Sequence, residues 1–311
     1  TGWLNGSANF GGGALNGNNV DVVVVKLDKS TGGHIWSHAY GDGKLQGGFS
    51  VAIDGAGDVV VSGYLDGSVD FGGGAIGGGG NNVFVLKLSA AGQYLWAKAF
   101  PSTATELRPN RIALDKDGNI FLAGGSIGTI DFGGGPLQHQ NGIGVYDAFL
   151  AKLDPDGKHL WSKSFGDSDE QWIDSVAVDK DGNVIVLGSF LGSMDLGGGK
   201  LVSQGGNEFG GDVFITKLSA ANGSQIFAGH YGDAAQQEPK SLTVDASGNV
   251  IVCGLFKGSI NFGNGALASA GGADLCEPAG FIASKRVPYK GLNRFVMACP
   301  VTGGWRGQHQ A

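Results

Sequence analysis

Four kinds of short apolar run recur in a fixed order along the chain. Run A reads SVAID, RIALD, SVAVD or SLTVD, and run B reads DVVVSGYL, NIFLAGGS, NVIVLGSF or NVIVCGLF. Run C reads DVVVVKLD, NVFVLKLS, DAFLAKLD or DVFITKLS, and run D reads GHIWSHAY, QYLWAKAF, KHLWSKSF or SQIFAGHY. These are β-like runs, not helical ones. Runs A and B are apolar almost throughout instead of alternating, the pattern of strands covered on both faces. Between A and B stands Asp-x-x-Gly-Asn/Asp, an Asp suited to open a type I turn and a Gly suited to the left-handed position that closes a bulged hairpin. The joins from C to D, STGG, AAG, PDGK and ANGS, carry the same chemistry.

Two rulers measure the repeat. The turn residues Asp54, Asp115, Asp179 and Asp245 lie 61, 64 and 66 residues apart, and Trp36, Trp96, Trp161 and Phe227 lie 60, 65 and 66 apart. A period above 60 with four strands per unit predicts an all-β fold, a β-propeller or open propeller arc of four-stranded antiparallel blades with four to five blades represented. Residues 1–274 form the expected repeat domain: an incomplete blade at 1–40, blades at about 48–100, 109–165 and 174–231, and a partial blade at 239–274. Residues 275–311 break the pattern and read as a divergent cap or an unstructured tail, with no acid and five basic residues from 278 onward. Thr1-Gly2-Trp3 aligns with Ser62-Gly63-Tyr64, the interior of a strand, so the chain reads as a piece of something longer.

The recurring Trp36, Trp96 and Trp161, with Phe227 in the fourth copy, are expected to dock one blade on the next; an aromatic platform for sugars or bases is the alternative. If the runs alternate direction, the A–B and C–D turns emerge at one end of each blade and the B–C and D–A connections at the other. The B–C connections also vary in length. Phe10 to Asp21 and Phe71 to Asn82 are 11 residues, but Phe132 to Asp147 is 15 and Leu196 to Asp212 is 16. Length varies where packing does not dictate it, which makes the long-loop end the expected contact face.

Composition narrows the partners. Sixty glycines fall at fixed offsets, without the three-residue period of collagen. Charged residues are 16% and the net charge is -7, which argues against nucleic acid or an anionic membrane surface. No apolar run reaches the roughly 18 residues of a membrane span. Cys253, Cys276 and Cys299 give neither a disulfide framework nor a zinc spacing.

The candidate chemistry is thin. Asp115-Lys116-Asp117-Gly118-Asn119, Asp179-Lys180-Asp181-Gly182-Asn183 and Asp154-Pro155-Asp156-Gly157 resemble the opening of a calcium loop, but no closing Glu follows, and the copies at Asp54 and Asp245 lack the second acid. Hairpin turns are the expected role. Asp167, Asp169, Glu170 and Asp174, in one D–A loop, are a weak candidate cation cluster. No cofactor is expected, calcium being the one left open. His34 and His159 share a repeat position with Tyr94 and Gln225, expected to be an exposed strand position; His38 and His230 flank run D without histidine counterparts. No catalytic residues are assigned, since no Gly-x-Ser-x-Gly, His-Glu-x-x-His or phosphate loop occurs.

The runs DVFITKLS, HLWSKSFGD, SVAVDKDGNVIVLGSF and GSMDLGGG resemble the bacterial β-propeller repeat family labelled SBBP, over residues 1–274. VAVDKDGN alone is similar to NHL-type blades, and LDKSTGGHIW to the docking motif of quinoprotein propellers. The SBBP resemblance implies a propeller in a secreted or surface-attached bacterial protein, with no catalytic set to carry over. The expected function is therefore a non-catalytic, extracellular or cell-surface binding or scaffold module that contacts protein or glycan through the long B–C and D–A loops. The alternatives are a lyase or hydrolase with an axial site, and a calcium-stabilised surface repeat.

Overall fold

A computed structural model describes residues 1–107, 111–139, 144–205, 211–269 and 295–299. The regular structure among them is β-strand, arranged as antiparallel four-stranded sheets of the β-propeller type. The first sheet orders β1 (Gly2–Asn9), β2 (Ala14–Leu27) and β3 (His34–Tyr40) as runs B, C and D. The second is complete, with β4 (Gln46–Ile53), β5 (Val59–Asp70), β6 (Ala75–Leu88) and β7 (Tyr94–Phe100) side by side. In the third, run A is split into β8 (Glu106–Leu107) and β9 (Arg111–Leu114), both paired with β10 (Ile120–Ile127). A small hairpin of β11 (Ile130–Asp131) and β12 (Pro136–Leu137) precedes β13 (Asp147–Leu153) and β14 (His159–Phe165).

The fourth sheet orders β15 (Gln171–Val178), β16 (Val184–Phe190), β19 (Asp212–Leu218) and β20 (Gln225–Tyr231), with the hairpin β17 (Ser193–Asp195) and β18 (Lys200–Val202) between B and C. The fifth has β21 (Gln237–Val244), β22 (Val250–Phe256) and the hairpin β23 (Ser259–Asn261) and β24 (Ala266–Ala268). The expected tail, 275–311, lies outside the described residues except for β25 (Phe295–Cys299). That strand pairs antiparallel with β22 from Val250↔Cys299 to Gly254↔Phe295, the place run C takes in the other sheets. The chain divides into two compact units, 1–139 with 149–164 and 140–148 with 165–311.

Two expectations change. The stretch from the Phe-Gly-Gly-Gly mark to run C is not simply a loop. In the second sheet β5 and β6 continue past a bulge between Asp66 and Ser68 and pair again from Ser68↔Gly77 to Asp70↔Ala75. The small hairpins of the later sheets are the same arm, detached. Length variation beyond a single residue is thus confined to the return from arm to run C. Secondly, run A is not sealed on both faces: Val51 and Ile53 in β4 are 46% and 58% exposed, whereas every residue of β13 and β19 is buried. B and C are the middle strands, flanked within the sheet on both sides; A and D are its edges.

Apolar side chains from neighbouring sheets make the core. In the first unit Phe71, Phe84, Leu86 and Leu88 close on Val22, Val24 and Trp36, and Phe132 and Phe149 close on Val83, Val85 and Phe100. In the second unit Val252, Phe256 and Ile260 close on Leu187, Ile215 and Tyr231. The joint between sheets recurs. Tyr40 meets Phe71 at 5.1 Å between ring centroids, Phe100 meets Phe132 at 5.2 Å, and Tyr231 meets Phe262 at 4.8 Å. Run A adds a polar stitch, Ile112 N donating to Ser50 Oγ at 3.1 Å and Leu242 N to Ser175 Oγ at 3.0 Å.

Trp36 and Trp96 each meet the next sheet in the first unit. Trp36 Nε1 donates to Ala90 O at 3.2 Å, and Lys26 Nζ donates to the same carbonyl at 2.7 Å. The indole lies flat against Gly92, where an added Cβ would stand 2.8 Å from the ring; Trp96 covers Gly157 likewise, at 2.9 Å. Both glycines have positive φ, 81° and 71°. Substituting Trp96 by Ala is expected to destabilise the protein by about 3 kcal/mol, and Gly157→Ala by at least 1 kcal/mol or so. Because both changes break one contact, denaturant melts of the double variant should show a cost smaller than the sum.

Candidate binding face

At the end of each sheet where run B meets its arm and run D meets the next run A, short polar networks hold the main chain. Each arm turns on an Asx side chain. Asp70 Oδ1 accepts from Gly72 N at 2.7 Å and Gly74 N at 2.9 Å, and Asn9, Asp131 and Asp195 do the same for their own glycine pairs. The outer two glycines have positive φ. The middle one answers a different need. A Cβ on Gly12, Gly73, Gly134 or Gly198 would collide with the side chain of His34, Tyr94, His159 or Gln225, respectively. That repeat position was expected to be exposed; it is half-buried, because its side chain supports the turn above it. His34 and His159 also hold Ser37 and Ser162 Oγ at 3.0 Å through Nε2.

A second network pins the D–A loop to the arm. Asp167 Oδ1 accepts from Asp169 N and Gln171 Nε2, each at 2.8 Å, and Oδ2 accepts from Ser193 N at 2.8 Å and Ser193 Oγ at 2.5 Å. Asp42 binds Lys44 N, Gln46 Nε2 and Ser68 N in the same way, and Asp233 binds Ala235 N, Gln237 Nε2 and Ser259. In the third sheet Thr103 and Thr129 make the link hydroxyl to hydroxyl at 2.8 Å. Burial pushes the Asp167 carboxyl up, but its hydrogen bonds from Ser193, Asp169 and Gln171 outweigh that and hold it below the usual carboxylate range.

The four acids of the candidate cation cluster are therefore used separately. Asp167 is the pin, Asp169 is exposed beside Gly192, Glu170 O accepts from Leu191 N at 2.8 Å, and Asp174 is the bulged residue between Ile173 and Ser175. Among the described residues no three His, Cys, Asp or Glu side chains gather as a metal-holding group.

The A–B turn acids lie at the other end and carry a lysine. Asp179 Oδ1 accepts from Asp181 N and Asn183 N, both at 2.9 Å, while Oδ2 meets Lys217 Nζ at 2.5 Å. Asp54 meets Lys87 at 2.9 Å and Asp115 meets Lys152 at 3.5 Å. Asp245 accepts from Ser247 N, Asn249 N and Asn249 Nδ2. The run C lysine places a positive charge beside each of Asp54, Asp115 and Asp179. Phe227, the counterpart of the tryptophans, packs half-buried against the core of the second unit, and Trp161 stands edge-on to Phe121 at 6.1 Å. The partners that sequence reasoning missed are Lys87, Lys152 and Lys217, the glutamines Gln46, Gln171 and Gln237, and Ser68, Ser193 and Ser259. The glutamines and serines recur at a fixed offset from the A–B turn acid and the lysines at a fixed offset from the residue that opens run C, which is the signal that marks them.

No family model matches the chain. It is 24% identical over 218 residues to an uncharacterised WD repeat-containing protein of Acanthamoeba polyphaga mimivirus, a match covering 59% of this chain and 15% of that protein. A solved structure of a protein of unknown function from Bacteroides caccae aligns with 87% of this chain and 73% of its own at 14% identity and a TM-score of 0.42. The quinohaemoprotein alcohol dehydrogenase of Comamonas testosteroni aligns with 78% of this chain and 39% of its own at 12% identity and a TM-score of 0.39. The chain is thus of propeller type on the strength of its own strand order.

Gly73→Ala should open the arm turn of the second sheet and lower the melting temperature, and adding Tyr94→Ala should recover part of the loss, because the ring that the methyl strikes is gone. A thermal melt of both variants decides it. For Asp179, burial raises the carboxyl, but the Lys217 hydrogen bond and the Asn183 and Asp181 N–H groups outweigh it and leave the folded value below the unfolded one of about 3.9. A depressed folded pKa contributes stability that is present above the unfolded value and lost as pH falls through the folded one. Melting temperature should therefore drop steeply below about pH 4, and less steeply in Asp179→Asn.

Proposed function

We propose that the protein is a non-catalytic β-propeller binding or scaffold module of the SBBP type, secreted or displayed on a bacterial surface. It contacts a protein or glycan through the end that carries the arms and D–A loops. One observation supports this reading above the rest: the joints and pins repeat from sheet to sheet, while the returns at 138–146 and 203–211 make the B–C connection four and five residues longer than in the first two sheets and every other connection differs by at most one residue. A scaffold held constant beneath segments free to vary is the arrangement of loop-borne recognition. The arm turns are held by Asx caps and the loops by carboxylate pins, so a ligand would meet preorganised main chain and lose little entropy in ordering it.

The test is a screen of the intact protein on immobilised glycans and on extracellular matrix and surface proteins, followed by replacement of residues 197–211 with the shorter return 72–81. The proposal expects a ligand whose binding falls at least about tenfold in the replaced protein while its melting temperature stays put. Binding that survives the replacement overturns the assignment of the face. Turnover of a polysaccharide or ester substrate would instead establish the lyase or hydrolase reading.

A further inference from the structure

Asp212 opens β19 of the fourth sheet and Gln237 opens β21 of the fifth, and both are 0% exposed. Asp212 Oδ2 accepts from Gln204 N at 3.1 Å, but Oδ1 has no hydrogen-bond partner. Gln237 Nε2 donates to Asp233 Oδ1 at 3.0 Å and Lys257 O at 3.4 Å, while Oε1 likewise has no partner. Turning the amide over gives no relief, since Oε1 would then face a carboxylate and a carbonyl, two acceptors without a hydrogen. The two bare oxygens close on one point: a Cβ on Gly232 would lie 2.6 Å from each. They are therefore at most twice that distance apart, on the side of a glycine that puts nothing between them.

Two buried acceptors so placed are unfavourable unless a donor joins them. The smallest donor is a proton on the carboxyl itself, and the surrounding charges favour one. Burial first pushes the Asp212 carboxyl up, the Gln204 N–H and the Ser203 hydroxyl offset part of that, and the Asp233 carboxylate adds to the rise, to about 6. His230, whose ring packs on Phe190 at 5.8 Å, is lowered by burial and so uncharged at neutral pH. The Lys257 ammonium and the Glu238 carboxylate both turn to the Gln236 amide instead. The equivalent positions lack the pair. At Gly41 and Gly166 the three atoms nearest a Cβ all belong to Asp21 or Asp147, and Gln171 Oε1 already accepts from Asp167 N at 3.1 Å. In the second sheet an amide, Asn82, stands in place of the acid and donates to Gly80 O at 2.8 Å.

We propose that Asp212 and Gln237 form a proton-operated latch between the return to run C and the next D–A loop. On mild acidification Asp212 Oδ1 takes up a proton and donates it in a hydrogen bond to Gln237 Oε1. Oδ2 still holds Gln204 N, and Gln237 Nε2 still holds Asp233, which in turn binds Ser259 in the next arm. One proton thus ties the return, the D–A loop and the following arm into a single network. At higher pH the ionised carboxylate repels the amide oxygen and the tie opens. The latch needs no bound ligand.

Carboxyl-carbon NMR of the intact protein tests it, with Asp212→Asn assigning the resonance. Asp212 should titrate near pH 6. Gln237→Leu, which places there the residue found at Leu107 in the third sheet, should move that midpoint down by about one pH unit, because the acid loses its acceptor. Thermal melts give the linkage. A folded value above the unfolded one of about 3.9 favours the folded state increasingly as pH falls from above the folded value toward the unfolded one. Relative to Asp212→Asn, whose amide donates at every pH, the native protein should therefore gain roughly 2–4 °C between about pH 8 and pH 5. An Asp212 midpoint in the ordinary carboxylate range overturns the proposal. So does a raised midpoint that Gln237→Leu leaves in place, which makes Asp212 a buried acid without a latch, and so does a difference in melting temperature that is the same at both pH values. Should Gln237→Leu fail to fold, the native titration and the Asp212→Asn melts decide.

Discussion

Side chains in this protein repeatedly rest on bare main chain, and that contact governs both its composition and its shape. Trp36 and Trp96 lie on Gly92 and Gly157, Tyr94 and His159 rest under Gly73 and Gly134, and Asp21 and Asp212 tuck beneath Gly41 and Gly232. In each case a Cβ would occupy the space that the opposing side chain fills. Much of the glycine content is therefore neither slack nor linker. It lets strand ends and turns approach side chains of the same or the next sheet more closely than any other residue permits, and at the arm turns it also supplies the positive φ the chain needs.

The polar networks divide between the two ends of the sheets. At the A–B turns a carboxylate caps two N–H groups and meets a lysine from run C, so the turn, the B–C pair and the charge are fixed together. At the opposite end the Asp–Gln–Ser pins tie the D–A loop to the arm without any lysine. The first arrangement is neutral and closed. The second leaves carboxylates and amide oxygens turned inward and a glycine-edged main chain turned outward.

Fold class, period and hairpin turns were legible because each is local: alternation of runs, Asp-x-x-Gly-Asn and a sixty-odd-residue ruler are visible in the string. The docking of Trp36 and Trp96 was legible from recurrence. The arm was not, since SVDFGGGAIGG has too few apolar residues to read as paired strand, and its pairing is fixed by Asx caps and bulges instead. The role of His34 and its counterparts was hidden for a related reason. What a side chain supports depends on a turn more than 20 residues upstream, and three different residue types serve at the four positions because the turn asks only for bulk. The pin glutamines escaped notice because amides are common at surfaces, and only the 0% exposure of Gln46, Gln171 and Gln237 gives them away.

Burial in this repeat belongs to the joint more than to the sheet. Phe71 is 2% exposed and Leu88 0%, but their counterparts in the first sheet, Phe10 and Leu27, are 38% and 50% exposed. The local sequence is nearly the same and the strand pairing is the same; what differs is that Tyr40 and Trp36 of a preceding sheet cover the second pair. At roughly 25 cal/mol per Å² of apolar surface, a sheet with its aromatic residue uncovered forgoes much of what makes it stable. Stability in such an array is a sum over neighbouring pairs, so a change at one docking glycine acts on two sheets at once.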